Sequence, residues 1–239
     1  MALQPWRKGK VISIVNETED TRRFRIEVPE LSSFDFTPGQ FVTLDLPVHE
    51  KPNKRWRSYS IASWPDGTNI FELLIVLDKR GAGTPYLFEE VNVGTEITLR
   101  GPQGVFTLKE PLEEDLVLIC TGTGIAPFRS MIHHIHNNKI PHKNIYLVFG
   151  CRTRSGLLYY NEMKTLENEI EGFFYLPTLS REQWGGHSGY VHAVYESICS
   201  HKRPAKFLLC GWKGMIDEAR SRILDMGYDK KAVHFEIYG

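Results

Sequence analysis

Two glycines and a proline follow a short apolar segment near the middle of the chain. Residues 116–120 have the composition of a buried strand, and residues 121–127, with the sequence TGTGIAP, lead into a helical stretch from about Phe128. Glycine permits a tight turn with close backbone approach to a ligand, and proline suits the first helical position. Free N–H groups at the start of a helix attract anions, so the turn predicts a phosphate site, although an ordinary strand-to-helix turn has the same pattern. The candidate residues are Gly122, Thr123, Gly124 and Pro127.

Small, basic or reactive residues also end the later apolar segments. Ligands of parallel sheets bind at the carboxyl ends of the strands, so these residues are candidates for the same site. A buried cysteine is more commonly a small hydrophobe, and a carboxylate on the last strand can equally be solvated or ion-paired. The residues concerned are Cys151 and Arg152 after the second segment, Ser180 and Arg181 after the third, Cys210 and Gly211 in the fourth, and Glu236 and Tyr238 in the last.

A second group of candidates lies in the first half of the chain. Arg57, Tyr59 and Ser60 could present a phosphate-binding fork, a stacking ring and a hydroxyl to one ligand, although a solvent-facing strand has a similar composition. Downstream, Gly83 and Thr84 precede a short helical stretch at residues 86–90 and form a second plausible anion site. Two phosphate sites imply two phosphate-bearing ligands or one long ligand.

The spacing of apolar residues changes partway along the chain. Between residues 10 and 108, short runs alternate apolar and polar residues, as at Phe24, Ile26 and Val28, and about six such strands predict a small antiparallel barrel. After Pro111, continuous apolar runs alternate with amphipathic stretches of helical length, which predicts a parallel sheet covered by helices. The predicted fold is an antiparallel Greek-key β-barrel in residues 1–110 and a doubly wound α/β domain in residues 111–239.

Composition excludes several classes of protein. The 239 residues include 29 lysines and arginines against 29 aspartates and glutamates, a balance that disfavours nucleic-acid binding. Apolar runs of about five residues are far short of the ~20 that a membrane-spanning helix needs, and without an apolar signal segment we expect a cytoplasmic protein with no membrane contact. Four cysteines without C-x-x-C pairs indicate reduced thiols and no metal cluster. His133, His134 and His136 are predicted to lie on a solvated helix face.

Six short motifs, each in the structural context it requires, follow one another along the chain. They are RxYS at residues 57–60, GxxT at 81–84, GPxG at 101–104, GTGIAP at 122–127, CG at 210–211 and ExY at 236–238. In this order the sequence resembles the ferredoxin-NADP reductase family over nearly its whole length. The resemblance implies an FAD-binding barrel followed by a pyridine-nucleotide domain, with the flavin between them.

The resemblance also assigns roles in flavin binding. Arg57 would neutralise the FAD pyrophosphate with help from Gly83, Thr84 and the helix after them. Tyr59 would lie against the isoalloxazine ring. Ser60 would place its hydroxyl near the flavin N5, the atom that accepts the hydride. Backbone of the strand at Ile75, Val76 and Leu77 would touch the flavin or its ribityl chain.

On the nicotinamide side, residues 122–127 would cradle the NAD(P) pyrophosphate, and Cys210 with Gly211 would border the nicotinamide. Glu236 would aid proton exchange or electron transfer. Tyr238 resembles the family's C-terminal aromatic gate, but Gly239 follows it here, and the tyrosine can equally cap the sheet edge. Ser180 and Arg181 resemble the pair that binds the 2'-phosphate, which favours NADPH, although some relatives that use NADH also have Ser-Arg.

The implied function is transfer of a hydride from NAD(P)H to FAD and then of single electrons to a separate carrier protein. That carrier would be ferredoxin, flavodoxin or an oxygenase component, and we expect the reductase to be a monomer. Two alternatives remain. A free-flavin reductase would use flavin as a substrate, and an FAD-binding electron-transfer subunit would be inactive without its partner.

Overall fold

The computed structural model describes residues 4–238, which form two compact units. Unit 1 extends to Leu108 and includes Arg129–His134, whereas unit 2 comprises Lys109–Phe128 and the chain from Ile135 onward. Gly239, which follows the predicted aromatic gate Tyr238, lies outside the described residues. None of the helices between residues 4 and 238 combines the length and the hydropathy that a bilayer crossing requires.

Unit 1 is a six-stranded antiparallel sheet, as the alternating sequence predicts. The strand order is β4-β3-β6-β1-β2-β5, and the edge strands β4 and β5 approach each other through an isolated bridge between Ile61 and Leu73. A short helix, α1 (Gly83–Glu89), follows β5. The strands are β1 (Arg7–Asn16), β2 (Thr21–Glu27), β3 (Phe41–Asp45), β4 (Trp56–Ser60), β5 (Ile70–Val76) and β6 (Glu96–Gln103).

The core of unit 1 follows from the two-residue period of its strands. Phe24 and Ile26 on β2, with Val28 just beyond it, are at most 1% exposed. On the opposite face, Arg23 forms an ion pair with Glu72 of β5. This carboxylate also pairs with the buried Arg129, whose Nη1 lies 2.8 Å from Glu72 Oε2. The charged groups on this face therefore have ionic partners despite their low exposure.

Unit 2 is a parallel six-stranded sheet with helices, the doubly wound arrangement predicted from its continuous apolar runs. The order is β10-β9-β8-β7-β11-β12, so the chain builds outward from one side of β7 and then crosses to the other. The strands are β7 (Asp115–Thr121), β8 (Ile145–Cys151), β9 (Phe173–Leu179), β10 (His187–Ser188), β11 (Ala205–Trp212) and β12 (Val233–Tyr238). The helices are α2 (Ala126–Asn138), α3 (Tyr160–Glu169), α4 (Val191–Ile198) and α5 (Lys213–Asp225).

The reversal of strand order at β7 and β11 matters for function. At such a switch point the connections leave in opposite directions, which opens a crevice at the carboxyl ends of the two strands. β7 and β11 pair in register up to Cys120 and Cys210. A ligand of unit 2 is therefore expected just beyond these two residues.

The prediction of a solvated histidine face on α2 is wrong for His133. Its ring stacks on Trp64, with the ring centroids 3.8 Å apart and the planes inclined by 21°. His136 lies 3.4 Å from the carboxylate of Glu169. The helical spacing could not show that other elements supply partners for these rings.

Candidate functional site

The flavin-site candidates on β4 occupy one face of the strand. Residues directly opposite each other on antiparallel strands project to the same side, and Arg57 is paired with Leu44 and Tyr59 with Val42. Leu44 and Val42 are fully buried core residues. Arg57 and Tyr59 therefore share the core-side face of the edge strand β4. Ser60 ends the strand and is 4% exposed.

Arg57 meets Gly83 at the start of α1. A Cβ added to Gly83 would lie 2.8 Å from Arg57 Nε and 3.0 Å from Arg57 Cγ, so only glycine leaves room for the guanidinium. The other end of that group is fixed, because Nη1 donates to the carbonyl oxygens of Lys54 (3.0 Å) and Trp56 (2.8 Å). The two segments that the sequence proposed as a flavin-phosphate site are thus in contact. A guanidinium anchored beside a side-chain-free turn fits a phosphate group.

Tyr59 is suited to stacking, because it stays neutral. Burial raises the pKa of Tyr59 to about 12, and the positive charge of Arg57 opposes the shift only in part. The phenol ring also packs against the core cluster of unit 1. The ring is therefore an uncharged, fixed surface next to the Arg57 guanidinium.

Thr84 has a hydroxyl that is already engaged. It donates to the carbonyl oxygen of Asp78 at 3.1 Å and accepts from the Asp78 N–H at 2.9 Å. This pair of bonds closes the loop between β5 and α1. The strand before this loop carries the remaining candidates, of which Ile75 is 2% exposed and Val76 is 39% exposed. Leu77 is tied to Asp20 by a backbone hydrogen bond of 2.8 Å.

In unit 2 the glycine turn packs directly on the end of β11. Gly122–Ile125 forms a 3₁₀ turn, and α2 begins at Ala126 with Pro127 in its first turn. A Cβ on Gly124 would lie only 2.3 Å from the carbonyl oxygen of Cys210 and 3.1 Å from the Cα of Gly211. Two motifs about 90 residues apart in sequence therefore form one surface at the switch point. The start of α2 at this position is suited to an anion.

Cys210, Glu236 and Tyr238 form a cluster at the same edge. Cys210 pairs in register with Glu236 across β11 and β12 and is fully buried. Burial raises the pKa of the Cys210 thiol well above its usual range, and the Glu236 carboxylate raises it further, whereas a hydrogen bond with Tyr238 lowers it. Because burial is the largest of these effects, Cys210 is a neutral thiol. It can border a ligand but is not a thiolate nucleophile.

A third group lies where β8 and β9 end. The Ser180 hydroxyl donates to the Cys151 carbonyl at 3.3 Å, and the Arg181 N–H donates to the Arg152 carbonyl at 2.9 Å. The guanidinium of Arg181 is exposed and has no hydrogen bond or ion pair with the described residues. Ser180 and Arg181 line a shallow pocket of about 390 Å³, together with Leu179, Glu182, Gln183, Ser188 and Gly189.

Two neighbours change the interpretation of this pocket. His187, the neighbouring basic residue on β10, does not line the pocket and so does not supply a second cation to it. Arg152 is exposed at the adjacent strand end instead, at a position that the sequence analysis noted without giving it a role. Glu182 adds a negative charge, but its carboxylate accepts a 2.7 Å hydrogen bond from the Arg154 N–H. The area thus carries three arginines against one glutamate.

Fold and sites together define a two-domain oxidoreductase class that binds a flavin and a pyridine nucleotide. A family model described as "Oxidoreductase FAD-binding domain" matches residues 8–108, and one described as "Oxidoreductase NAD-binding domain" matches residues 118–221. The chain is 32% identical over 241 residues to "Ferredoxin--NADP reductase B" of Sorangium cellulosum, covering 97% of each chain. It therefore belongs to the ferredoxin-NADP reductase family, as its motifs predicted.

Other relatives are longer than this chain. The "Anthranilate 1,2-dioxygenase electron transfer component" of Acinetobacter baylyi is 31% identical over 214 residues, which cover 88% of this chain and 60% of that relative.

Among solved structures, a ferredoxin NADP+ reductase from Neisseria gonorrhoeae with bound FAD and NADP matches with a TM-score of 0.82 and 25% identity, covering 97% of this chain and 98% of the other. A cytochrome P450 reductase from Amycolatopsis matches with a TM-score of 0.88 at 24% identity, covering 99% of this chain and 71% of the other, and shows the shared fold.

Proposed function

We propose that this protein is an FAD-dependent reductase that takes a hydride from NADPH and passes single electrons to a separate carrier protein. The observation that carries the proposal is that long-range packing brings together two pairs of the predicted site residues. These are Arg57 against Gly83 in unit 1 and Gly124 against Cys210 in unit 2. Each close approach leaves no room for a Cβ, and in the proposal each forms part of a surface for a ligand. In this proposal residues 1–110 bind FAD and residues 111–239 bind the coenzyme.

Unit 1 supplies binding and orientation. Arg57 neutralises the pyrophosphate of FAD, with Gly83 providing the space and Thr84 closing the loop through Asp78. Tyr59 provides the neutral ring that lies against the isoalloxazine, and Ser60 presents its hydroxyl toward N5. Contacts of the flavin with Ile75, Val76 and Leu77 complete the proposed surface. When bound, FAD supplies the chemistry of accepting a hydride and releasing electrons singly.

Unit 2 holds the coenzyme. Gly122, Thr123, Gly124 and Pro127 form the pyrophosphate turn, and Cys210 with Gly211 borders the nicotinamide. The neutral Cys210 thiol adds no negative charge beside the nicotinamide ring. Close positioning of that ring is the main contribution of the protein to hydride transfer. Glu236 beside it is the proposed group for proton exchange. Tyr238, whose hydroxyl reaches Cys210, is the proposed gate to the nicotinamide position.

Preference for NADPH over NADH is part of the proposal. Ser180 and Arg181 bind the 2'-phosphate, with Arg152 at the neighbouring strand end as a second cation. An exposed guanidinium with all five donors available suits a phosphate dianion, and the surplus of arginines over Glu182 supports the same preference. NADH carries a ribose hydroxyl in place of this phosphate and would leave the two guanidinium groups without an anionic partner.

The proposed acceptor is a one-electron carrier protein such as ferredoxin, flavodoxin or an oxygenase component. Two relatives carry such partners in their names, a ferredoxin reductase and the electron transfer component of a dioxygenase. The chain spans 60% of the length of that dioxygenase electron transfer component. The partner named for that relative therefore comes to this chain only as a proposal. We further propose a monomer in the cytoplasm. The cytoplasmic location is supported by the four free thiols, two of which, Cys120 and Cys210, are paired in register on the adjacent strands β7 and β11 without a disulfide.

The test is a diaphorase assay on the purified chain. We expect a yellow protein that retains FAD on desalting and oxidises NADPH with ferricyanide in the absence of any other protein. Loss of flavin on desalting with activity only in excess flavin would identify a free-flavin reductase. Retained FAD without NADPH or NADH oxidation would identify a subunit that depends on a partner chain.

A further inference from the structure

Two tryptophans and an arginine form a cluster on the other face of β4. Trp56 begins this strand and alternates with Arg57, so its side chain projects to the side away from Arg57 and Tyr59. Its ring centroid lies 5.7 Å from that of Trp6, which precedes β1. Arg100 of β6 places its Cζ 4.7 Å from the centroid of each ring. Three segments far apart in sequence thus meet at the start of the strand that carries the proposed flavin-binding residues.

Arg100 is held by the two rings rather than by polar partners. Its Nε is buried and has no hydrogen-bond acceptor, and no ion pair of Arg100 occurs among residues 4–238. A guanidinium stacked on indole rings gains from cation–π attraction, which amounts to about 2- to 5-fold in an equilibrium constant for each contact at a partly exposed site. The position of the cation and the positions of the two rings therefore depend on one another.

The cluster is connected to Arg57 through the backbone of Trp56. The carbonyl oxygen of Trp56 accepts the 2.8 Å hydrogen bond from Arg57 Nη1. Among the strands of residues 4–238, β4 lies at the edge of its sheet and pairs along its length only with β3. A displacement of Trp56 is therefore opposed by one neighbouring strand and by the contacts of its ring, and it would carry the acceptor of Arg57 with it.

We propose that Trp6 and Arg100 are positioning residues for FAD, which hold β4 from the face opposite to the flavin and so fix the guanidinium of Arg57. The proposal rests on the proposed binding of FAD by unit 1. It assigns no contact between FAD and either residue. Its consequence is that FAD affinity depends on two residues outside the flavin surface, while handling of the coenzyme does not.

The experiment measures release of FAD from the holoenzyme on dilution, followed by the rise in fluorescence of free flavin. The variants are Trp6→Ala and Arg100→Met, with Trp6→Phe and Arg100→Lys as conservative partners. Arg220→Met is the matched control, since Arg220 lies 4.3 Å from the Phe235 ring in an equivalent cation–π contact of unit 2. Melting temperatures and, at saturating FAD, kcat and KM for NADPH are recorded for each protein.

Arg100→Met should raise the Kd for FAD about 4- to 25-fold, the product of its two cation–π contacts, and Trp6→Ala about 2- to 5-fold, because it removes one of them. Trp6→Phe should restore most of the affinity, Arg100→Lys part of it, and Arg220→Met should match the wild type. The KM for NADPH and kcat at saturating FAD should stay unchanged. A wild-type Kd in both variants, with or without a lower melting temperature, would overturn the proposal while leaving the proposed function intact. A wild-type chain that never retains FAD would reject both.

Discussion

The guanidinium of Arg57 lies over Gly83, so closely that a Cβ there would stand 2.8 Å from Nε. The two residues come from an edge strand and from the first turn of a helix, and neither segment alone forms a phosphate site. Their contact brings the two sequence motifs together, and in the proposed function they form one FAD-binding surface. Substitution of the glycine therefore probes the position of the arginine without removing its charge.

Gly83→Ala should lower FAD affinity about 3- to 10-fold, because the arginine must leave its rotamer to make room for the methyl group. Gly81→Ala is the matched control in the same loop, since a Cβ there meets nothing nearer than 3.7 Å. Flavin retention after desalting and the Kd for FAD are the measurements. Equal losses in the two variants would show that the loop, and not Arg57, is responsible.

Arg57→Ala should cost about 10- to 100-fold in FAD affinity, the usual range for a charge-assisted hydrogen bond. In this background Gly83→Ala should have little further effect, since the side chain that it displaces is gone. Additive losses would mean that the two residues act independently.

The effect of Gly124→Ala should be confined to the coenzyme. The new methyl group would meet backbone atoms of Cys210, which cannot move aside as a flexible side chain can, and overpacking of this kind costs about 1–3 kcal/mol. We expect a higher KM for NADPH and a lower kcat with normal FAD content. Gly156→Ala, whose Cβ would make ordinary contacts at 3.6 Å, is the control and should behave as the wild type.

Coenzyme choice should depend on Ser180 and Arg181. The double variant Ser180→Ala/Arg181→Met should raise the KM for NADPH about 10- to 100-fold, because the phosphate loses charge-assisted donors, and change the KM for NADH much less. Steady-state kinetics with both coenzymes gives the comparison. An equal change for both would refute recognition of the 2'-phosphate.

A pH effect on stability is expected from His192. Burial lowers the pKa of His192 below its ordinary 6.5, although Glu218 nearby favours the charged form. Above pH 6.5 the imidazole is neutral in both states, whereas below it the unfolded chain takes up a proton that the folded chain resists, so stability falls as pH falls. Urea unfolding at pH 7.5 and 5.5 should show a smaller loss in His192→Gln than in the wild type. The exposed His201 provides a control, and His201→Gln should keep the wild-type loss.

Much of this architecture is readable from local sequence. The two-residue period of β2 and the apolar run of β7 predict their strand types, since each follows from which faces are buried. The two-residue strand β10 was not predicted, because so short an element leaves no periodic signal. Helix α1 begins at Gly83 and not at the predicted residue 86, since the hydroxyl of Thr84 closes the loop within the first turn.

The site was predictable only as separate pieces. The motifs predicted Arg57, Gly83, Gly124 and Cys210 as site residues. The contact of Arg57 with Gly83 within unit 1, and that of Gly124 with Cys210 within unit 2, arise from the order of strands and cannot be derived from spacing. The stacking of His133 on Trp64 was missed for the same reason. So was the cluster of Arg100 with its two tryptophans, because the positions of its members have no common period.

Anaerobic mixing of the purified protein with NADPH tests the central claim most directly. The account predicts that the visible absorbance of bound flavin is lost on mixing, that the flavin released by denaturation is FAD, and that NADH is less effective than NADPH. Protein that stays colourless after incubation with excess FAD, or flavin absorbance that persists with both reduced coenzymes, would contradict it.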